Sequence, residues 1–188
     1  MKKELIKLKF KKMKKIVLIL IYLPFISFGQ QTYVPDDNFE QRLIDLGYDT
    51  ILDDYVLTNN IKNIVSLNCP YVPNNPLPIF SLEGIEDFMS LEVLLCNNHN
   101  LSNLDLSNNN NLKKVFCKNN DLQNLDLRTG ANLLEIDASG NPQLECINVN
   151  DTSYIASSSI TNIDPQTYFD ENCGYTYVPD DNFESYLE

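Results

Sequence analysis

Between residues 60 and 150 the aliphatic positions follow neither the 3.6-residue period of a helix nor the two-residue period of a long strand. Leu91, Leu94 and Cys96 recur 21 residues later as Leu112, Val115 and Cys117, and Leu101, Leu104 and Leu106 recur as Leu122, Leu125 and Leu127. A third copy holds Leu133, Ile136 and Ala138, then Leu144, Ile147 and Val149 after a one-residue insertion, and a degenerate copy with Ile64, Leu67 and Cys69 comes first. Within each repeat the phrase (an aliphatic residue, another three on, another two further) occurs twice, 10 or 11 residues apart. A fixed period of this length predicts one coil of a solenoid, each coil laying short strands beside its neighbour's at about 4.8 Å. In Asn103–Ser107, alternation turns Leu104 and Leu106 inward and leaves Asn103, Asp105 and Ser107 outside. Six apolar side chains per coil, at about 1.5–3 kcal/mol each when fully buried, make an adequate core only when neighbouring coils cover both ends.

The flanks predict the covers. Residues 35–47 read as an amphipathic helix, with Asp36 or Asp37 as its cap, Phe39, Leu43 and Leu46 on one face, and Gly47 as its stop. Pro70 to Pro78 holds four prolines in nine residues and reads as a loop bulging off the solenoid. The residue three after each inward Cys or Ala is His99, Asn120 or Asn141, a column able to bond the backbones of adjacent coils as a ladder. After Val149 the aliphatic phrase fades into a closing segment. The predicted fold is a solenoid of stacked short parallel strands, with an N-terminal capping helix and an irregular C-terminal cap.

The strings LEVLLCNNHNLSNLDLSNNNN and LKKVFCKNNDLQNLDLRTGAN resemble the bacterial leucine-rich repeats of the IRREKO class, with its nested 10-plus-11 pattern. SLEGIEDFMSLEVL (81–94) is similar to internalin-type repeats, and YVPDDNFEQRLIDLGYD resembles the leader of repeat arrays in secreted flavobacterial proteins. The resemblance implies a secreted or cell-surface bacterial leucine-rich-repeat solenoid, and is specific for fold rather than ligand. The expected organisation is a signal peptide (1–29), an N-terminal helical cap (32–60), repeats over 61–150 and a C-terminal cap (150–175). The repeats divide into a degenerate stretch with the Pro-rich loop (61–90), then 91–111, 112–132 and 133–153. TYVPDDNFE at 32–40 returns residue for residue at 176–184. That recurrence predicts a tandem unit of about 144 residues, so that 176–188 opens a second, truncated one.

Composition sharpens this picture. Eight lysines between Lys2 and Lys15 precede the 13-residue apolar run Ile16–Phe28, and Ser27 and Gly29 fit a signal-peptidase site. The run is too short for a membrane anchor, which needs roughly 20 residues. With that leader's eight lysines and one glutamate removed, the net charge moves from −12 to −19. Such a surface repels nucleic acid and anionic lipid. No nucleic-acid partner and no membrane span after signal cleavage are expected.

Export permits disulfides among five cysteines. Cys69, Cys96 and Cys117 share an inward position and read as buried thiols. Cys146 faces outward and Cys173 lies in the closing cap, so a Cys146–Cys173 disulfide is expected. The intervals of 27, 21, 29 and 27 residues, without a C-x-x-C pair, give no zinc site.

No G-x-S-x-G, H-E-x-x-H, P-loop or G-x-G-x-x-G string is present, and the single histidine belongs to the ladder. The chain reads as no enzyme, without cofactor or metal. PDDN at 35–38 and Asp53-Asp54 offer oxygen ligands for calcium but lack D-x-D-x-D-G spacing, and PDDN also serves as a helix cap. Binding fits best. Outward positions on one strand set are Val93, Leu95 and Asn97, then Lys114, Phe116 and Lys118, then Glu135, Asp137 and Ser139. Val93, Leu95, Lys114, Phe116 and Lys118 are the candidate ligand-binding residues, with Leu95 and Phe116 as exposed apolar neighbours. The expected partner is a protein or a glycan; the alternative is a structural spacer in a larger tandem surface protein.

Overall fold

The computed structural model describes residues 29–71, 78–129, 133–158 and 160–174. Residues 1–28 of the expected export signal, the centre of the Pro-rich loop (72–77) and the expected second unit at 176–188 lie outside the described residues.

Each aliphatic phrase forms one three-residue strand. One sheet holds β3 (Ser66–Asn68), β4 (Val93–Leu95), β6 (Lys114–Phe116), β8 (Glu135–Asp137) and β10 (Ile160–Asn162), side by side in that order and parallel throughout. The second holds β5 (Asn103–Asp105), β7 (Asn124–Asp126), β9 (Cys146–Asn148) and β11 (Tyr168–Asp170), again parallel. Register keeps like with like. Leu67, Leu94, Val115 and Ile136 form one column, and Leu104, Leu125, Ile147 and Phe169 the other. Except for half-buried Phe169 these side chains are all buried, as are the remaining inward residues of the phrase from Ile64 to Val149. Coil upon coil, the aliphatic phrase is the core.

The N-terminal cover is more elaborate than one helix. A two-stranded antiparallel sheet pairs β1 (Gln31–Tyr33) with β2 (Tyr55–Leu57), and the short helix α2 (Thr58–Ile61) follows it. Between these strands runs the amphipathic helix α1 (Asp37–Asp45), capped by Asp36, whose Oδ1 accepts from the Asn38 and Phe39 N–H groups. Phe39 and Leu43 are buried, but Leu46 is exposed because it stands at the C-cap, past the last helical turn. Asp36 Oδ2 also accepts from the N–H groups of Phe80 and Ser81, fastening the cap to the first coil. Glu40 is fully buried inside this cap. Its carboxylate accepts from the backbone N–H groups of Asp53, Asp54 and Tyr55 at 2.9, 3.0 and 3.2 Å. Three donors offset the desolvation of one charge.

Two further departures concern the ends of the repeat. The second half of the degenerate coil is a 3-10 turn (Ile85–Asp87), which leaves β5 as the edge of its sheet. At the other end the closing segment is more regular than its fading pattern indicates. It folds as helix α3 (Thr152–Ser158) followed by β10 and β11, which extend both sheets by one strand. Thr161 and Phe169 stand there opposite Ile136 and Ile147, so the coil persists without its aliphatic signature.

Leu104 is 3% exposed and sits between coils. Leu104→Ala is expected to cost about 2–5 kcal/mol in chemical denaturation. A loss under about 0.5 kcal/mol, the size of an ordinary surface substitution, would place Leu104 outside the core.

Candidate functional site

The outward face of the five-stranded sheet is fixed by the turns that end β4, β6 and β8. Asn98, Asn119 and Gly140, spaced 21 apart, have φ of 63°, 54° and 73°. Asparagine and glycine tolerate this left-handed backbone best. Asn119 Nδ2 also donates to Asn98 Oδ1 in the coil before it. The next residue in each coil turns inward. Asn120 Nδ2 donates to the carbonyls of Cys96 and Cys117 while its Oδ1 accepts from the Leu101 N–H. Asn141 repeats the pattern with the Cys117 and Ala138 carbonyls and the Leu122 N–H. His99 fills the same slot with a ring: Nδ1 accepts from the Ile79 N–H at 3.2 Å, so Nε2 carries the proton donated to the Cys69 carbonyl at 2.8 Å. Burial holds His99 below its usual 6.5, opposed in part by that Cys69 bond and by Asp36.

On this frame the face shows two rows across the sheet. Ser66, Val93, Lys114 and Glu135 align in one, and Asn68, Leu95, Phe116, Asp137 and Asn162 in the other. Val93 and Lys114 are therefore direct neighbours, as are Leu95 and Phe116. Lys118 follows one step along the coil, its N–H donating to Asn97 Oδ1. Leu95 and Phe116 are half-buried rather than freely exposed, since the flanking strands crowd them on both sides. Lys114 pairs with Glu135 at 2.8 Å and Lys113 with Glu92 at 2.9 Å. The Lys118 ammonium has no carboxylate partner among the described residues.

More freely exposed apolar side chains lie on the N-terminal cap, which the sequence pattern did not mark. Tyr33 and Tyr55 are 46% and 44% exposed, with ring centroids 5.4 Å apart, and Ile51, Leu52 and Leu57 are exposed nearby in the chain. Their strands are three residues long, too short to declare an alternating pattern.

The other sheet presents polar rows, including Asp105, Asp126, Asn148 and Asp170. Each aspartate there accepts from the N–H two residues ahead, at Ser107, Arg128 and Asn172. The carboxylate recurs because the turn needs it. A cleft of about 370 Å³ beside β5 includes Glu83, Glu86 and Asp105 in its walls. In the cap, Glu40, Asp49 and Asp53 bring carboxylate oxygens within 4.8 Å of one another, as do Asp37, Glu40 and Asp54. These are the residues that would hold a cation, although the backbone already compensates Glu40.

Cys146 and Cys173 are joined, with Cα atoms 5.8 Å apart, so the last coil is tied to β9. Cys69, Cys96 and Cys117 are free and buried. Burial pushes the Cys69 and Cys117 thiols up to about 12 and Cys96 well above its usual value, leaving almost no thiolate at neutral pH.

These parallel stacked strands define a leucine-rich-repeat solenoid. Among solved structures, the chain resembles internalin InlF from Listeria monocytogenes, with a TM-score of 0.51 at 17% identity over 72% of this chain and 44% of that one. The functional domain of InlJ from Listeria monocytogenes, described as including a cysteine ladder, aligns at a TM-score of 0.40 and 19% identity over 75% of this chain and 47% of its own. The chain spans under half the length of these internalin structures. No family model and no curated protein matches it. Among the described residues no helix is long and apolar enough to cross a membrane.

Two predictions follow from this geometry. Because the folded His99 takes up a proton less readily than the unfolded one, stability is expected to fall as pH drops below 6.5 and to level off below the folded value. Melting temperatures between pH 7.5 and 5 should show this loss shrinking in His99→Asn, and an identical pH dependence in both proteins would refute it. Alkylation should label no cysteine in the native protein, three after denaturation without reductant, and five with reductant. Five labels without reductant would exclude the Cys146–Cys173 bond.

Proposed function

We propose that the chain is a protein-binding module working outside the cell, with the Leu95–Phe116 row as its contact. The supporting observation is one register pair. Leu95 and Phe116 are direct cross-strand neighbours in a row whose other members are Asn68, Asp137 and Asn162. Aromatic groups such as Phe116 are enriched at interface cores, and apolar surface rimmed by polar residues marks interaction sites. Val93, Lys114 and Lys118 border Leu95 and Phe116. Export through the Lys-rich leader, IRREKO-type repeats and a flavobacterial source belong to the same reading, as do the domain limits.

Size constrains the mode of action. Five strands about 4.8 Å apart give a face on the order of 400 Å², about half of the 800 Å² that each partner contributes to a standard interface. A single unit would bind weakly, and units in series would gain by avidity. The recurrence at 176–184 favours such a series. The cap buries Thr32, Val34, Phe39, Glu40 and Leu43, and the same residue types return at 176, 178, 183, 184 and 187. The recurrence equally favours a second reading, in which the units only extend a surface protein as spacers.

Screening the mature chain against an array of extracellular proteins distinguishes the two. Leu95→Ser and Phe116→Ser are each expected to weaken capture at least about tenfold, with melting temperature little changed. Capture that survives both substitutions would remove this face from binding, and no capture at all would leave the spacer reading.

A further inference from the structure

A recess of about 190 Å³ opens beside Leu95, between the coils of β3 and β4. Its walls include Asn68, Pro70, Tyr71, Leu95, Asn97 and Asn98. We propose that this recess is a binding site for a single neutral hexopyranose ring.

The argument begins with which amide groups are already used. The Lys118 N–H occupies Asn97 Oδ1, and Asn119 Nδ2 occupies Asn98 Oδ1, so both wall residues have their Nδ2 groups to offer. The Asn68 side chain stands on the outward row with no hydrogen-bond partner among the described residues, so its amide oxygen and nitrogen are both available. Sugar hydroxyls donate and accept at once, and a set of amides answers both roles. Acidic or basic side chains would answer only one.

The remaining walls suit the apolar face of a pyranose. Tyr71 is 40% exposed and meets the His99 ring edge-on, with centroids 6.5 Å apart and planes at 73°. His99 is itself fixed at both nitrogens, which gives the tyrosine a rigid backing. An aromatic face, Pro70 and the half-buried Leu95 together present carbon to the ring's C–H side.

Charge and volume narrow the class. No acidic or basic side chain is among the lining residues. The chain is strongly acidic once its leader is discounted, so sialic and uronic acids would approach against the field. Pockets for drug-sized ligands run to about 300–1,000 Å³; this one is smaller and takes one ring. A site this small binds weakly alone, and repetition in a series of units would supply strength. The proposal does not depend on protein capture by Phe116, although Leu95 borders both.

The test is saturation-transfer NMR on the whole chain with the methyl glycosides of glucose, galactose and mannose. At least one is expected to show transfer to its ring C–H protons and to titrate near millimolar concentration. Tyr71→Ala and Asn68→Ala remove groups exposed to solvent and should leave melting unchanged while each weakening the sugar at least tenfold. Phe116→Ser should leave the sugar signal intact, which separates this site from the protein-capture face. The proposal is overturned if no hexoside gives a signal above that of glycerol, or if binding survives both Tyr71→Ala and Asn68→Ala. Stronger binding by glucuronate than by the neutral glycosides would likewise overturn the assignment of class.

Discussion

The structure depends on how each coil closes over its neighbour without stranding backbone groups. A chain turning every few residues around an aliphatic interior aims some carbonyls and N–H groups inward, and each one left unpaired costs about 1–3 kcal/mol. Asn120 and Asn141 meet that demand by donating twice and accepting once, across coil boundaries. His99 does so by accepting at Nδ1 and donating from Nε2. The left-handed residue just before each of them lets the side chain reach inward. Because these bonds join one coil to the next, they fix the register as well as the turn. Aliphatic burial supplies the larger driving force, but it is non-directional and tolerates sliding. The ladder does not.

Fixed register is what makes an outer face meaningful. Since Leu67, Leu94, Val115 and Ile136 must align inside, the residues on either side of them align outside with no further freedom. Much of the outer polarity is then consumed by the fold. Asp105, Asp126 and Asp170 each hold a turn through the N–H two residues on, and Asp137 does the same for Ser139. The side chains of Val93, Leu95, Phe116 and Lys118 take no part in these bonds.

Most of the coil was legible because its signal repeats. Leu91 to Val149 display the inward phrase six times, twice in each of three repeats, and the buried set follows it. The ladder was legible in the column His99, Asn120, Asn141. The left-handed column before it, Asn98, Asn119 and Gly140, carried an equal signal in residue type. Illegible features are those without repetition. The β1–β2 pair offers one inward residue per strand, which no periodicity can reveal. Glu40 occupies a position where a helix pattern calls for an exposed acid, and only the backbone donors of a distant loop explain its burial. The strands β10 and β11 keep their places by pairing with β8 and β9 after the leucines have gone. On the face itself, sequence gave direction but not depth. Leu95 and Phe116 point outward, yet neighbouring strands partly bury both.

Charge on this face is arranged for stacking more than for attraction. Beyond residue 29, the chain's cations are Arg42, Lys62, Lys113, Lys114, Lys118 and Arg128. Half of them cluster around Phe116, which at first sight makes a positive patch on an acidic molecule. Yet Lys113 pairs with Glu92 one coil before it, and Lys114 with Glu135 one coil after it. Both pairs span 21 residues, the repeat length, so they act as outer rivets between coils. Exposed pairs of this kind contribute at most about 1 kcal/mol each, but they cancel the local field around the aromatic ring. Only Lys118 is left to draw an acidic group. On the proposed reading, recognition by this face comes chiefly from shape, carbon surface and amide hydrogen bonds, the interactions least weakened by salt.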